Sequence, residues 1–391
     1  MSAWQKARLS DCCEIVSGAT PKTGVEGYWD GEIPWATPKD LSVLRGAYLH
    51  DTPRKITAAG LKSCAASVLP AGSVLLSSRA PIGHVAINTI PMATNQGFKS
   101  LVPDARAVEA KYLYWWLKAH RSYLESLGNG ATFKEISKAI VSQVEIPLPP
   151  LEEQRRVADV LDRADELRAK RRQALAHLDD LTRSTFLDMF GSGYLSKWPT
   201  AELQKVVKSG TIVTYGIVQA GEEFAGGVPY IRTGDIIDGE IAVAGLRHTD
   251  PEIANRFARS SVSPGDIVMS IRATVGTTAL VPAGLDGANL TQGTARISPG
   301  GSTNGTYLLH YLRSSAAQHW ISRQIKGATF REITLARLRE LPVALPPMPL
   351  QEEFAQRVKA LDELRTLQRT HLAELDGLFA SLQDRAFRGL L

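Results

Sequence analysis

The chain has 391 residues, a length that at roughly 100–200 residues per domain suggests two or three domains. Hydrophobic residues make up 44% and charged residues 22%, which excludes disordered, collagen-like and low-complexity classes, and no apolar run approaches the roughly 18–20 residues a membrane span requires. A formal net charge of +5 permits a nucleic-acid partner without demanding one.

The first 11 residues are polar and lack the apolar core of a signal peptide, so the protein is expected to be cytoplasmic with no membrane partner. Ser73-Val74-Leu75-Leu76 is a short apolar run bounded by Gly/Pro turns, as expected of a buried strand. Helical periodicity over 112–127 gathers Tyr112, Trp115, Trp116 and Tyr123 on or near one face, a pattern that points to core packing. Residues 141–147 look like a last strand, stopped by Pro149-Pro150, which cannot continue a ladder. Beyond it, residues 151–190 place Val157, Val160, Leu161, Ala164, Leu167, Ala174, Leu175, Leu178 and Leu181 at steps of mostly three and four. That spacing predicts one long helix with a heptad-like seam.

The same succession then recurs. Asp266-Ile267-Val268-Met269 predicts a strand, 307–325 a helix and 341–346 a strand before Pro346-Pro347. A second heptad-like helix follows, with Val358, Leu361, Leu364, Leu372, Leu375, Leu378 and Leu382 on its seam. Residue matches make the duplication explicit, at an offset that stays between 193 and 197. Ile33-Pro34-Trp35 answers Val228-Pro229-Tyr230, and Asp40-Leu41 answers Asp235-Ile236. Gly72, Ser77, Arg79, Ala80 and Gly83 answer Gly265, Ser270, Arg272, Ala273 and Gly276. Gly130-Ala131-Thr132-Phe133 answers Gly327-Ala328-Thr329-Phe330, and Leu148-Pro149-Pro150 answers Leu345-Pro346-Pro347. So long a period indicates a duplicated domain. The expected class is α/β (α+β): two globular domains, 1–147 and 191–344, each followed by a helical region, 148–190 and 345–391. The two helices are expected to form an antiparallel coiled coil with pseudo-two-fold organisation, since a lone helix would expose its seam.

Charge is unevenly placed. Residues 1–150 carry 16 basic against 12 acidic side chains and residues 191–350 carry 15 against 12, whereas each helical stretch is at −1. The basic excess lies in the globular parts.

No catalytic constellation is visible. There is no GxxxxGK[ST] phosphate loop and no complete GxGxxG. Both Pro-Pro pairs follow Leu, where an amino-methyltransferase loop would need Asn or Asp. Pro103-Asp104 with Glu109-Ala110-Lys111 superficially resembles a metal-dependent nuclease, but the spacing is cramped and the second copy has Pro299-Gly300 there. The three cysteines (Cys12, Cys13, Cys64) and eight histidines show no metal-ligand spacing, so no metal site is expected. His84 and His310 read as surface or core residues.

Each globular half thus ends in a GATFKEIS-type segment, a strand, Leu-Pro-Pro, a helix start carrying Gln154 or Gln351, and a long heptad helix. This order of parts, repeated over essentially the whole chain, resembles the specificity subunit of type I restriction-modification systems, the HsdS family. One difference between the copies is that Glu352 and Glu353 stand where the first has Arg155 and Arg156. The resemblance implies a non-catalytic subunit with two target-recognition domains, each reading one half of a split, asymmetric DNA site. It also implies two methyltransferase subunits as partners and a restriction subunit with translocase activity in the larger complex. S-adenosylmethionine, ATP and magnesium would belong to those partners, leaving this chain with no cofactor of its own. The alternative from another class is a duplicated coiled-coil adaptor that binds no DNA.

Candidate DNA contacts follow from position and chemistry. Arg79 and Arg272 stand between an apolar strand and a Gly turn, where a guanidinium can fork onto phosphate or guanine, or instead pin the turn through an ion pair. Thr37, Lys39, Arg232 and Thr233 follow the Pro-aromatic strand; Lys134 and Arg331 follow Ala-Thr-Phe. Gln96 and Gln292 could read adenine edges, but residues matched between two domains that read different sequences are expected to touch backbone or hold the fold.

Overall fold

A computed structural model of the chain describes residues 4–79, 81–129, 134–191, 197–327 and 331–391. The GATF segments at 130–133 and 328–330, and Ala80, lie outside the described residues. The chain forms two compact units, one of residues 1–172 with 370–391, the other of residues 173–369. Both divisions fall inside the long helices Leu151–Phe190 and Met348–Phe387.

In the first unit, a five-stranded sheet runs in the order Cys13–Ser17, Lys99–Pro103, Val74–Leu76, Val85–Asn88 and Tyr48–Leu49. Its neighbours are antiparallel except the last pair. The apolar run at its centre is buried on both faces: Val74 and Leu76 join the core under the aromatic helix, while Leu75 joins a second cluster with Phe98 and Leu69. That is the two-residue alternation of a strand. Gly72 opens the turn before it at φ +86°, a left-handed conformation that a β-carbon would strain, and Gly265 repeats it at φ +86° in the second unit. A three-stranded sheet places Trp29–Ala36 antiparallel to Lys55–Ile56 and parallel to Ala93–Thr94. A third pairing, Lys6–Arg8 with Glu145–Pro147, ties the start of the domain to its end.

The second unit repeats this plan. Its four-stranded antiparallel sheet runs Thr214–Tyr215, Thr294–Ile297, Ile267–Ser270, Thr278–Leu280. Val228–Ile231 lies between Arg247–Thr249 and Asn289–Leu290, and Thr200–Glu202 pairs with Pro342–Ala344. The copies part where the first unit adds the parallel strand Tyr48–Leu49. The second instead makes a tight hairpin, Ile236–Ile237 with Glu240–Ile241, turned by Asp238 and Gly239, both at positive φ.

Three sequence expectations are corrected. The helix expected over 112–127 is two helices, Ala110–Ala119 and Arg121–Ser126, and that over 307–325 is Gly305–Arg313 and Ser315–Gln324. At the second break Ser314 takes extended backbone and its hydroxyl caps the N–H of Ala317, a local bond that competes with helix continuation. Tyr123, beyond the first break, is exposed, whereas Tyr112, Trp115 and Trp116 are buried as core. Finally, the strand expected over 141–147 begins only at Glu145, because Ser137 caps a short helix, Lys138–Gln143.

Each long helix has 40 residues, about 60 Å at 1.5 Å per residue, and within each unit a stretch of one packs against a stretch of the other. In the first unit Val157, Leu161 and Ala164 share a core with Tyr112, Trp115, Phe379 and Ala386. Arg156 Nη2 meets the carbonyl of Leu391 at 2.9 Å and Arg168 Nε meets Asp376 at 2.6 Å. In the second, Phe186 and Phe190 pack with Phe354 and Tyr307, and Arg365 Nη2 reaches Asp179 at 3.0 Å. In both, one sequence rises as the other falls, so the helix segments are antiparallel. The seam is not continuous. Leu167, Leu181, Leu364 and Leu378 are about half exposed, at 48–53%. Among the described residues, no helix is long and apolar enough to cross a membrane.

Candidate nucleic-acid interface

The Pro-aromatic strand of each unit ends at the same structural position. Thr37 closes the first and caps helix Pro38–Ser42, donating from its N–H (2.7 Å) and its hydroxyl (2.8 Å) to Asp40. Arg232 closes the second. Its N–H and Nε donate to Asp235 Oδ2 at 2.8 and 2.9 Å, and its Nη2 to Oδ1 at 2.7 Å. A small hydroxyl and a guanidinium thus satisfy the same buttress, and both residues have a fold-holding task. Lys39 is exposed and, among the described residues, carries no ion pair; Thr233 packs against the site where Gly293 would bear a β-carbon.

Arg79 and Arg272 share one arrangement. Arg79 Nε donates to Glu135 at 2.8 Å and Arg272 Nε to Glu332 at 2.9 Å. The backbone is locked beside them, with Ile136 N–H donating to Ser78 O and Ile333 N–H to Ile271 O. The buried Lys99 also reaches Glu135, at 3.2 Å, whereas Ala295 occupies the corresponding place in the second unit. Burial raises the Glu135 carboxyl, but the hydrogen bonds from Arg79 and Lys99 outweigh it and hold the group below the ordinary carboxylate range. Only Nε of each arginine is engaged among the described residues, and both side chains are about 45% exposed. Among the described residues, nothing accepts from the outer edge of either guanidinium. Lys134 and Arg331 are exposed immediately after the undescribed segments.

In the second unit a cleft of about 420 Å³ brings Arg232, Thr233, Arg272 and Gln292 together with Tyr230 and Arg247. Arg247 lies across the strand pair from Tyr230, and its Nε donates to Glu223 at 3.0 Å. In the first unit Arg54 lies opposite Trp35, whose N–H donates to the Arg54 carbonyl at 3.1 Å. Its guanidinium rests 4.1 Å from the ring centroid of Trp29 and 5.0 Å from that of Trp35. These two arginines escape a comparison of the copies by sequence, because little around them matches. The cap of the following helix, Thr57 in one unit and Asp250 in the other, supplies the register.

The residues whose spacing resembles a nuclease site are otherwise employed. Asp104 binds Arg106, Glu109 caps the N–H of Tyr112 at 2.7 Å, and Lys111 pairs with Asp162. Burial raises the Glu109 carboxyl above its ordinary value. Among the described residues no group of three His, Cys, Asp or Glu side chains could hold a metal ion.

A model of the type I restriction modification DNA specificity domain matches the chain twice, over residues 1–177 and 196–376. The chain belongs to this family. Its two copies coincide with the duplication in the sequence and with the repeated strand plan. The MjaIX type I restriction enzyme specificity subunit of Methanocaldococcus jannaschii is 38% identical over 189 residues, 48% of this chain and 44% of that protein. The chain therefore aligns with less than half the length of that relative. The EcoBI specificity subunit of Escherichia coli is 27% identical over 77% of this chain and 70% of its own length. In fold, the solved type I restriction-modification S subunit from M. genitalium matches with a TM-score of 0.57 at 15% identity, covering 98% of this chain and 96% of that one. This specificity-family chain thus carries the family's domain twice, on a fold the S subunit shares.

Proposed function

We propose that this chain is the DNA-reading, non-catalytic subunit of a type I restriction-modification complex, with each unit reading one half of a bipartite, asymmetric site. The observation that carries the reading is the duplication itself. Two units of one plan, each holding the same Arg–Glu lock beside an exposed arginine edge, occur in one chain of the specificity family. A duplicated reader matches two half-sites as dimeric DNA-binding proteins do. Divergence between the copies, such as a parallel edge strand in one and a hairpin in the other, implies unlike half-sites.

Arg79, Arg272, Lys39, Lys134 and Arg331 are proposed backbone contacts, and the basic excess of the globular parts suits phosphate neutralisation. Thr37, Arg232 and Thr233 would shape the same surface while holding the strand end. The helix segments support a partner-binding role. The first unit exposes Leu167 and Leu378 and the second Leu181 and Leu364, an equivalent pair for each of two methyltransferase subunits. S-adenosylmethionine would be bound by those subunits, and ATP and magnesium by a restriction subunit.

Mixing the purified chain with its methyltransferase subunit and DNA tests the proposal. Adenine methylation at a split site is expected; methylation at a continuous site, or none, would contradict it. Binding of duplex DNA by the complex would also separate a reader from a protein-only adaptor.

A further inference from the structure

Among the arginines at the candidate interface, two kinds of equivalence can be told apart. Arg79 and Arg272 keep the same partner, a glutamate, in both units. Arg54 and Arg247 keep only their place. Each stands across the strand pair from the aromatic residue of the Pro-aromatic strand, and three residues later comes the cap of a short helix. Their tethers are unrelated, two indole faces for Arg54 and the Glu223 carboxylate for Arg247. A residue retained to hold the fold would retain its partner. Here the partner changes and a positioned guanidinium persists.

We propose that Arg54 and Arg247 are equivalent phosphate-contact residues, one in each unit, each gripping the backbone of the half-site its unit reads. The inference rests on the DNA-reading function proposed above and names contacts within it.

Both side chains are exposed. The Arg54 guanidinium lies over the two indoles, and among the described residues none of its N–H donors has an acceptor within hydrogen-bonding distance. Arg247 gives only Nε to Glu223, so its two Nη groups are open on the same terms. Each tether fixes the long side chain before DNA arrives, lowering the entropic cost of the contact. In the second unit Arg247 and Arg272 line one cleft, where an anionic group would gain from both positive charges. Phosphate is favoured over a base edge because the same residue type stands at the same position in two units whose half-sites differ. Sequence-specific readers should differ there, whereas the backbone is common to every sequence.

The test is equilibrium binding of the assembled chain and methyltransferase subunits to two duplexes, one carrying the recognition sequence and one with both halves scrambled, over a series of salt concentrations. Arg54→Ala and Arg247→Ala should each weaken binding to both duplexes by similar factors and reduce the slope of log affinity against log salt by about 1. Arg54→Lys and Arg247→Lys, which keep the charge, should keep the slope. Unchanged affinity and slope, or a loss confined to one base pair of the specific duplex, would overturn the phosphate assignment while leaving the reading function intact. Failure of the unsubstituted complex to bind either duplex would overturn the function itself. Melting curves accompany each variant. If Arg54→Ala unfolds by uncovering Trp29 and Trp35, Arg247→Ala, tethered only to an exposed glutamate, carries the test.

Discussion

The side-chain oxygen of Gln154 accepts a hydrogen bond from the backbone N–H of Glu109 at 2.8 Å. Gln154 Nε2 donates to the carbonyls of Ala107 (3.0 Å) and Pro149 (2.8 Å), so one fully buried amide joins the first turn of the long helix to the loop before the aromatic helix. The second unit repeats the arrangement with Gln351, Asn304, Ser302 and Pro346. The glutamine of the Leu-Pro-Pro segment is therefore an anchor for the helix. Gln154→Ala would leave the partly buried Glu109 N–H without its acceptor and should cost about 1–3 kcal/mol. Gln351→Ala should cost a similar amount, read from the shift of the denaturant midpoint. A change below ~0.5 kcal/mol in either would contradict the anchoring role.

Arg79 and Arg272 separate stability from binding. Their ion pairs with Glu135 and Glu332 are half exposed, so Arg79→Ala or Arg272→Ala should change stability by no more than about 1 kcal/mol. Each should weaken DNA binding and flatten its salt dependence. Unchanged DNA binding would reduce both residues to turn-pinning ion pairs.

His310 gives the second unit a particular acid sensitivity. Its ring packs 5.3 Å from Phe354, and burial, aided by Arg313 and Arg365, lowers its pKa to about 3. An unfolded imidazole titrates at about 6.5. As pH falls below that value the unfolded chain takes up a proton that the folded unit resists, so stability is lost progressively between about pH 6.5 and 3. His310→Gln should make the dependence of stability on pH shallower in this window. Identical slopes for variant and unsubstituted protein would contradict the neutral state.

The exposed leucines test the partner role of the helices. Leu167→Asp and Leu364→Asp alter surface positions and should shift stability by no more than about 0.5 kcal/mol. Each should weaken association with one methyltransferase subunit, measured by the stoichiometry of the purified complex. Full assembly with two subunits would contradict that role.

Much of this architecture is legible in the sequence because it follows from strong periodicities. Val74-Leu75-Leu76 and Ile267-Val268-Met269 are apolar on both faces, and the strands are buried on both faces. The long helices carry their apolar residues at helical spacing with no proline beyond the first turn. What was illegible depends on local competition or cross-strand register. Val141 looks like a strand residue, yet the hydroxyl of Ser137 starts a helix there. Ser314 breaks a periodic helix by capping the next one. The heptad spacing alone could not show that Leu167 and Leu378 face outward, because a seven-residue seam drifts around a straight helix. At the candidate interface, Thr37 and Arg232 look alike only once Asp40 and Asp235 are seen to bind them. Arg54 and Arg247 become equivalent only through the strand pairings.

Mapping methylated adenines across the genome, with and without the gene for this chain, tests the central claim most directly. Removing the gene should abolish methylation at one sequence of two unlike halves separated by a spacer of fixed length. An unchanged methylation pattern, or loss at a single continuous sequence, would contradict it.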